Sequence, residues 1–497
     1  MLDAAPAGLR VSILTPVFDP PAPVLEECIA SVLGQSSPDW EWCIVDDAST
    51  RSHVPARLDA LAGQDGRVRI HRRASNGGIV AATNDALAMA TGDVVTFLDH
   101  DDELTDTAVE ELLAAFAAEP GVGIVYSDEY LVDVAGKMVY VYDKPEFSPE
   151  RLRGHNYFCH LVGIDRAFCV VSGGLSPEFE GAQDNDLVLR AVEHFGRAAH
   201  IRRRLYRWRA VKGSVAADPE AKPSTMVSAE RAVRAHCARI GLDAAITPVP
   251  DVSFSFRLQR TVRGAPKVSL LVRKVDGEPP TVVGEVLRES QYSHVEIIEL
   301  GDDLPTHVAI DRAAAEAAGD VLLVIDGDVR LRHGDLLGEL VSLVPDPDVA
   351  AVGPTIYLPD GRYGASGLSF EHGPAPVGRG FGADATGNWG ALRVTREVSA
   401  VPTICFVARR QAAFELGGFG VAPSAPLAGA DYGRRALDAG WRVLVTPFTS
   451  VTLDSDEALR PLSADDLAAW DARWGDRARS EHYSRIERRG AAAVGAT

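Results

Sequence analysis

The stretch Thr91-Gly-Asp-Val-Val-Thr-Phe-Leu-Asp-His-Asp-Asp-Glu-Leu104 decides the fold. Val94 to Leu98 is an apolar, β-branched run, long enough for one buried strand and too short for a helix. It ends on Asp99-His100-Asp101-Asp102, three carboxylates in four positions. A buried strand that stops on acidic residues presents them at its carboxyl end, where open α/β sheets bind ligands. Clustered carboxylates repel one another and are stable only in water or around a cation. Hard cations such as Mg²⁺ or Mn²⁺ take oxygen ligands, commonly one or two carboxylates with the phosphates of a substrate. An isolated Asp-x-Asp is more often a solvated turn capping the next helix, here one starting near Thr105. The neighbouring segments decide against that reading.

Towards the amino terminus, Val11-Ser-Ile-Leu-Thr-Pro-Val17 reads as a first strand that breaks at Pro16. Leu25, Ile29, Val32 and Leu33 recur at helical spacing, and Trp40-Glu-Trp-Cys-Ile-Val45 is a second strand closing on Asp46-Asp47-Ala-Ser-Thr50. Val68-Arg-Ile70 is a short third strand before Asn76-Gly77-Gly78, and Ile79 to Ala90 an alanine-rich helix. Strands alternating with helices give a Rossmann-like α/β fold with a mostly parallel sheet and right-handed crossovers. The strand ends at Pro16, Asp47 and Asp99 then meet on one sheet edge. No G-x-G-x-x-G follows the first strand, which argues against an NAD-dependent dehydrogenase.

The whole chain narrows the classes further. Its 497 residues allow two to four domains, and 46% apolar with 24% charged residues is an ordinary globular balance. A net charge of −20 argues against a nucleic-acid binder, which would show a basic stripe. Six scattered cysteines without a C-x-x-C fit a reducing compartment better than a disulfide framework or a zinc site. With no signal-like amino terminus and no run of 18 apolar residues, a cytoplasmic location is expected, compatible with peripheral contact at the inner membrane face.

Thr15-Pro16-Val17-Phe18, Val45-Asp46-Asp47-Ala48-Ser49-Thr50, Asn76-Gly77-Gly78, Asn84 and Asp99-His100-Asp101-Asp102 together resemble the family 2 glycosyltransferases of GT-A fold, over the first ~240 residues. The resemblance implies a nucleotide-sugar donor, uridine- or deoxythymidine-linked. Pro16 and Val17 would line the base pocket, Asp47 would hydrogen-bond the base, and Asn76, Gly77, Gly78 and His100 would belong to the donor site. Asp99 would lie near ribose or sugar, and Asp101 would ligate Mg²⁺ or Mn²⁺ on the diphosphate. A uracil or thymine N3–H suits a carboxylate acceptor, and a diphosphate leaving group needs positive charge beside it. Asp46-Asp47 also reads as an Asx-type turn with Ser49, and Asn76-Gly-Gly78 as a turn before a helix.

Val122 to Tyr126 is a further strand leading to Ser127-Asp128-Glu129, and the polar, proline-bearing Phe147 to Arg153 is expected on the surface. In the resembling enzymes the segment holding His160 passes beside the donor sugar. A core histidine is at least as good a reading. In Glu180-Gly-Ala-Gln-Asp-Asn-Asp186 a helix follows from Leu187, so Asp184 lies at its amino end, where the helix dipole keeps a carboxylate ionised. The matching motif of the family supplies the base that deprotonates the acceptor hydroxyl, which places that role on Asp184, with Gln183 beside it, and implies inversion at the anomeric carbon. Asp186 fits a helix N-cap better. Arg204-Leu-Tyr-Arg-Trp-Arg-Ala210 with Gly213-Ser214 resembles the closing motif, but Arg207 stands where a histidine is expected and cannot ligate a cation. Gln183, Trp208 and Arg209 are candidates for the acceptor or sugar, and Trp208 reads equally as core.

The second half repeats the first. Gly319-Asp-Val-Leu-Leu-Val-Ile-Asp-Gly-Asp328 echoes Gly92 to Asp101 at an offset of 227 (319 − 92), and Gly417-Gly-Phe419 echoes Gly173-Gly-Leu175. Val272-Arg273 replaces Thr15-Pro16, Asp431 takes the place of Asp186, and Gly429 falls where Asp184 would be. The expected organisation is two tandem GT-A domains, 8–245 catalytic and 266–455 degenerate, joined by a linker 246–265 and followed by a helical tail 456–497. Within that tail, Leu462 to Arg489 would pack a helix carrying Trp470 and Trp474 on the second domain. The resemblance extends to tandem bacterial surface-polysaccharide and O-antigen glycosyltransferases, which implies a saccharide or lipid-linked glycan acceptor and allows homo-oligomers. The alternatives are a catalytically silent carbohydrate-binding or scaffold protein, and a bifunctional transferase with both domains active. A nucleotidyltransferase would instead carry a glycine-rich basic loop where this chain has Phe18-Asp-Pro-Pro21.

Overall fold

Strand β1 (Val11–Val17) forms the spine of the first sheet because its apolar residues are covered on both faces. Strands β2 (Trp40–Asp46) and β4 (Val94–Phe97) pair with it in parallel, and β3 (Val68–Arg72) pairs in parallel outside β2. Strands β5 (Glu103–Leu104), β6 (Ile124–Val132), β7 (Met138–Tyr142), β8 (Val162–Asp165) and β9 (Ala199–Arg209) complete a nine-stranded sheet ordered β3-β2-β1-β4-β8-β6-β9-β5, with β7 on β6. Strand β8 is antiparallel to both β4 and β6, and β9 is parallel to β6. Six strands (β1, β2, β3, β4, β6 and β9) therefore share one direction and the other three oppose it. Helices Ala22–Leu33, His53–Gln64, Gly78–Met89 and Ala108–Ala118 are the crossovers. Leu25, Ile29, Leu58 and Leu112 bury their apolar stripes against Ile13, Trp42 and Ile44. Pro16 is tolerated because the last β1–β4 pair is Leu14 with Phe97, so at Pro16 the strand is paired only with β2.

In this computed structural model the described residues are 8–210, 223–262, 264–273, 281–290, 292–301 and 303–483. Gly213-Ser214 and the end of the expected tail helix, 484–489, lie outside them. The chain divides into two units, Met1–Phe147 with Asn156–Leu242, and Ser148–His155 with Asp243–Thr497. The second unit has its own nine-stranded sheet. In it Val295–Leu300, Val268–Arg273 and Val321–Ile325 lie parallel, followed by the antiparallel Cys405–Arg409, then Val349–Tyr357 and Arg442–Leu453.

The two units share hydrogen bonds as well as topology. The Ser12 hydroxyl donates to Glu41 at 2.7 Å and accepts the Gly92 N–H at 2.9 Å. The Ser269 hydroxyl does the same with Glu296 at 2.5 Å and Gly319 at 2.9 Å. Both glycines are required there, since a Cβ would strike the serine hydroxyl and the backbone of the first strand.

Four expectations are corrected. Phe147 to Arg153 does not run over the surface: Pro149–Gly154 is a short helix of the second unit, with Glu150, Arg151 and Leu152 buried. Its charge is admissible because Glu150 is met by Arg260 at 2.5 Å and Arg442 at 3.3 Å. The strand after Val122 runs on to Val132, taking Ser127, Asp128 and Glu129 into the interior. Residues 246–265 are no plain connector, since Ala244–Pro248 and Phe256–Arg260 pair antiparallel. Asp186 is not an N-cap: the helix is Gln183–Phe195, capped at Ala182, and buried Asp186 pairs with Arg190 one turn on at 2.8 Å. At the other end of the chain, helix Ala464–Trp474 starts with a Ser463/Asp466 capping box and buries Trp470 and Trp474 against Leu368, Phe370 and Leu427 of the same unit.

Candidate active site

The carboxyl ends of β2 and β4, on either side of β1, carry acidic residues, and each carboxylate is held differently. Asp46 makes the Asx turn, accepting the Ser49 N–H at 2.9 Å. Asp47 is buried and accepts the N–H groups of Gly77 and Gly78, each at 2.9 Å, with the Arg73 guanidinium also 2.9 Å away. These are the orphan donors at the start of helix Gly78–Met89, so the second strand end and the glycine turn form one clamp. Gly78 adopts φ +83°, and a Cβ there would lie 2.8 Å from Glu180 Oε1, so the turn needs glycine. Asn76 caps the same turn, accepting from Gly78 N–H at 3.2 Å. Val17 is buried, with its carbonyl accepting the Asp47 N–H at 2.8 Å.

Past β4 the chain turns at Asp99–Asp102, closed by the Asp102 N–H on the Asp99 carbonyl at 3.2 Å. His100 Nδ1 donates to the Pro16 carbonyl at 3.1 Å, tying the turn to the end of β1. Asp102 is buried and both its oxygens accept, from the Tyr206 hydroxyl at 2.7 Å and the Arg209 N–H at 2.7 Å. Burial, with Asp101 and Asp99 beside it, pushes its carboxyl well above the usual range. The Tyr206 hydroxyl also accepts the Asp99 N–H at 3.3 Å, so one phenol grips both ends of the turn. Sequence reasoning missed Tyr206. Its only signal was its position in the Tyr-Arg-Trp-Arg motif, since nothing local indicates that β9 returns beside the turn.

Arg209 is not placed for a sugar. Its side chain is 1% exposed, and it donates to the Asp101 carbonyl at 2.9 Å, Glu27 at 2.6 Å and Glu103 at 2.7 Å. It braces the acidic turn from behind. Arg207 lies near the Tyr130 ring, 5.9 Å from its centroid. Trp208 is half-buried and packs on the core, with its ring edge-on to His160 at 5.5 Å.

His160 stacks on Tyr206 at 4.6 Å, and burial together with nearby Lys144 brings its pKa down to about 3. The imidazole is therefore neutral, with a lone pair available to a cation. Ligand atoms of Asp99, Asp102 and His160 all lie within 4.8 Å of one another. Asp101 is outside that group and half-buried at the turn. Beneath His160, Glu129 is wholly buried, accepts the His160 N–H at 3.1 Å and lies 3.8 Å from Lys144 Nζ. Burial outweighs Lys144 there and raises the Glu129 carboxyl to about 7.

Asp184 sits in the first turn of Gln183–Phe195 and receives a hydrogen bond from Asn156 Nδ2 at 3.2 Å. Burial raises its carboxyl above the ordinary range, opposed by the Asn185 N–H and by Asn156. Gln183 is engaged locally, accepting the Gly181 N–H at 2.7 Å. A half-buried carboxylate with raised basicity can take a proton, and an acidic turn beside a neutral imidazole can hold a divalent cation.

Residues 12–162 match the model of the Glycosyl transferase family 2. The chain is 32% identical over 480 residues to the O-antigen biosynthesis protein RfbC of Myxococcus xanthus, covering 88% of this chain and 37% of the relative. It is 32% identical over 197 residues to a chondroitin synthase of Pasteurella multocida, covering 39% of this chain and 20% of the relative. The chain thus spans well under half the length of these curated relatives. Among solved structures, Staphylococcus aureus TarS 1–349 in complex with UDP-GlcNAc is similar at 18% identity and a TM-score of 0.37, covering 46% of this chain and 66% of that one. Among the described residues no helix is long and apolar enough to cross a membrane. The family match falls on the sheet, the glycine turn and the acidic turn described above, so the first unit carries a Glycosyl transferase family 2 domain.

Proposed function

We propose that the first unit transfers a sugar, with inversion, from a uridine or deoxythymidine diphosphate donor to a saccharide or lipid-linked acceptor in surface-polysaccharide synthesis. The observation that carries this is Asp184, a carboxylate made more basic by burial and oriented by Asn156, in the same unit as the acidic turn. Pro16, Val17 and the Asp47–Gly77–Gly78 clamp would seat the nucleoside, with His100 fixing the turn against β1. Asp184 accepts the proton of the attacking hydroxyl as its oxygen bonds to the anomeric carbon and the nucleoside diphosphate leaves from the opposite face.

Asp99 and His160, with ligand atoms within 4.8 Å of one another, and Asp101 on the same turn offer carboxylate and neutral imidazole donors that fit a hard divalent cation. Both Asp102 oxygens are taken by Tyr206 and Arg209, so Asp101 with Asp99, and His160 beside them, would hold Mg²⁺ or Mn²⁺. When bound, the cation supplies positive charge to the departing diphosphate.

The test is transfer and hydrolysis of a panel of nucleotide sugars by wild type and Asp184→Asn. The variant should lose about 10²- to 10⁴-fold in kcat at nearly unchanged donor KM. Equal activity in the two proteins would refute the assignment of the base.

A further inference from the structure

The second unit repeats the first closely enough for residues to be matched through hydrogen bonds rather than by similarity of sequence. The Arg166 N–H donates to the Asp93 carbonyl at 2.9 Å, and the Arg410 N–H to the Asp320 carbonyl at 2.9 Å. The Asp102 N–H closes on the Asp99 carbonyl at 3.2 Å, as the Val329 N–H does on Asp326 at 3.2 Å. Asp431 pairs with Arg435 one turn on at 2.9 Å, as Asp186 does with Arg190. These pairs set offsets of 227 (326 − 99), 244 (410 − 166) and 245 (431 − 186) along the chain.

By these offsets the second unit keeps Asp328 for Asp101 (328 − 101 = 227) but loses the imidazole of the cation-holding group. Asp326 replaces Asp99, but Asp102 becomes buried Val329 and His160 becomes buried Ile404 (404 − 160 = 244). The base position, Asp184, becomes Gly429 (429 − 184 = 245). A side chain there is sterically excluded, since a Cβ would lie 2.2 Å from the Val401 carbonyl oxygen. The second unit therefore lacks both the imidazole and the base proposed for the first.

A cavity nevertheless remains over the same strand end. It measures about 820 Å³, and its lining includes Thr306, Asp326, His372, Phe381, Thr403 and Gly429. That size is in the range of sites for small organic ligands. Arg273 faces Asp326 at 4.0 Å and hydrogen-bonds Thr306 Oγ1, and Arg379 pairs with Asp456 at 3.1 Å, while Glu371, Glu457 and Arg460 also line the cavity. A nucleoside diphosphate would meet the carboxylates of Asp326, Glu371 and Glu457 in the same lining. A neutral polyhydroxylated ligand suits the lining better, with hydroxyls for Asp326, Thr306 and Thr403 and a C–H face for Phe381.

We propose that this cavity is a saccharide-binding site without transfer chemistry. That the saccharide is part of the acceptor glycan rests on the transferase reading of the first unit. The experiment uses the full chain on an array of immobilised bacterial oligosaccharides, with calorimetry of UDP plus Mn²⁺ in parallel. Wild type should retain a defined set of saccharides. Asp326→Asn and the cavity-filling Thr403→Trp should each weaken retention at least about tenfold, while Asp184→Asn leaves it unchanged and UDP binds at no more than one per chain. Retention of no saccharide, retention insensitive to both cavity variants, retention lost only in Asp184→Asn, or a second UDP abolished by Asp326→Asn would each overturn the proposal. If saccharide retention follows Asp326 while no nucleotide binds at all, the transferase reading of the first unit fails and the site stands.

Discussion

Asp184 and Asp186 are two residues apart on one helix, and the structure separates their work. Asp186 is buried in an ion pair with Arg190, whereas Asp184 is half-buried with Asn156 as its side-chain partner. Asp186→Asn should lower stability by about 1.5–3 kcal/mol, the worth of a hydrogen bond to a charged group. It should leave kcat near wild type at temperatures where the protein is folded, as denaturant titration and rates on the same preparation will show. The base reading also fixes a pH sign. Burial raises the Asp184 carboxyl, so kcat/KM should fall on acidification at a pH above that of an ordinary carboxylate, and Asn156→Ala, which removes a stabilising donor, should move that limb higher still. Asp99 to Asp102 were legible in the sequence as an acidic strand end, because three carboxylates after an apolar run have few uses. What each carboxylate does was not legible, because it depends on β9. Tyr206→Phe leaves Asp102 and the Asp99 N–H each short of a partner, and should cost about 1–3 kcal/mol of stability together with weakened divalent-cation binding. A variant as stable and as cation-responsive as wild type would remove Tyr206 from the account.

Among the elements, the helix Pro149–Gly154 was the least legible. Its polar, proline-bearing sequence looks like surface chain, and burial becomes admissible only through arginines about 110 and 290 residues away in sequence. Burial alone would raise the Glu150 carboxyl, but Arg153, Arg260 and Arg442 outweigh it and hold it well below the ordinary glutamate value of 4.5. A carboxylate depressed in the folded state contributes stability that is present above its unfolded pKa and lost as pH falls below it. Thermal stability should therefore decline below about pH 4.5, and Glu150→Gln should flatten that decline while costing roughly 1.5–3 kcal/mol at neutral pH, because Arg260 then keeps only Asp346. The crossover strands and helices of the first sheet, by contrast, are visible in the alternation of apolar runs and turn residues. The same is true of the glycine turn at Gly77-Gly78, whose positive φ and close approach to Glu180 explain the residue type.

At the level of the whole chain, the echo of Gly92 to Asp101 in Gly319 to Asp328 made the duplication readable, and the paired serine latches carry it into hydrogen bonds. The changes at the matched positions of the second copy were only half readable. Gly429 announced a missing base, whereas the replacement of Asp102 and His160 by Val329 and Ile404 requires strand pairing to align. The central claim is that the first unit binds a nucleotide diphosphate through a divalent cation at its acidic turn. It is tested most directly by a thermal-shift panel of nucleotide diphosphates, with and without Mn²⁺, on wild type and Asp101→Asn. A ligand present at ~100 times its dissociation constant stabilises the folded state by about 2.7 kcal/mol. The account predicts a shift with one nucleotide that needs Mn²⁺ and disappears in Asp101→Asn. A shift with no nucleotide, or one indifferent to both Mn²⁺ and Asp101, would contradict it.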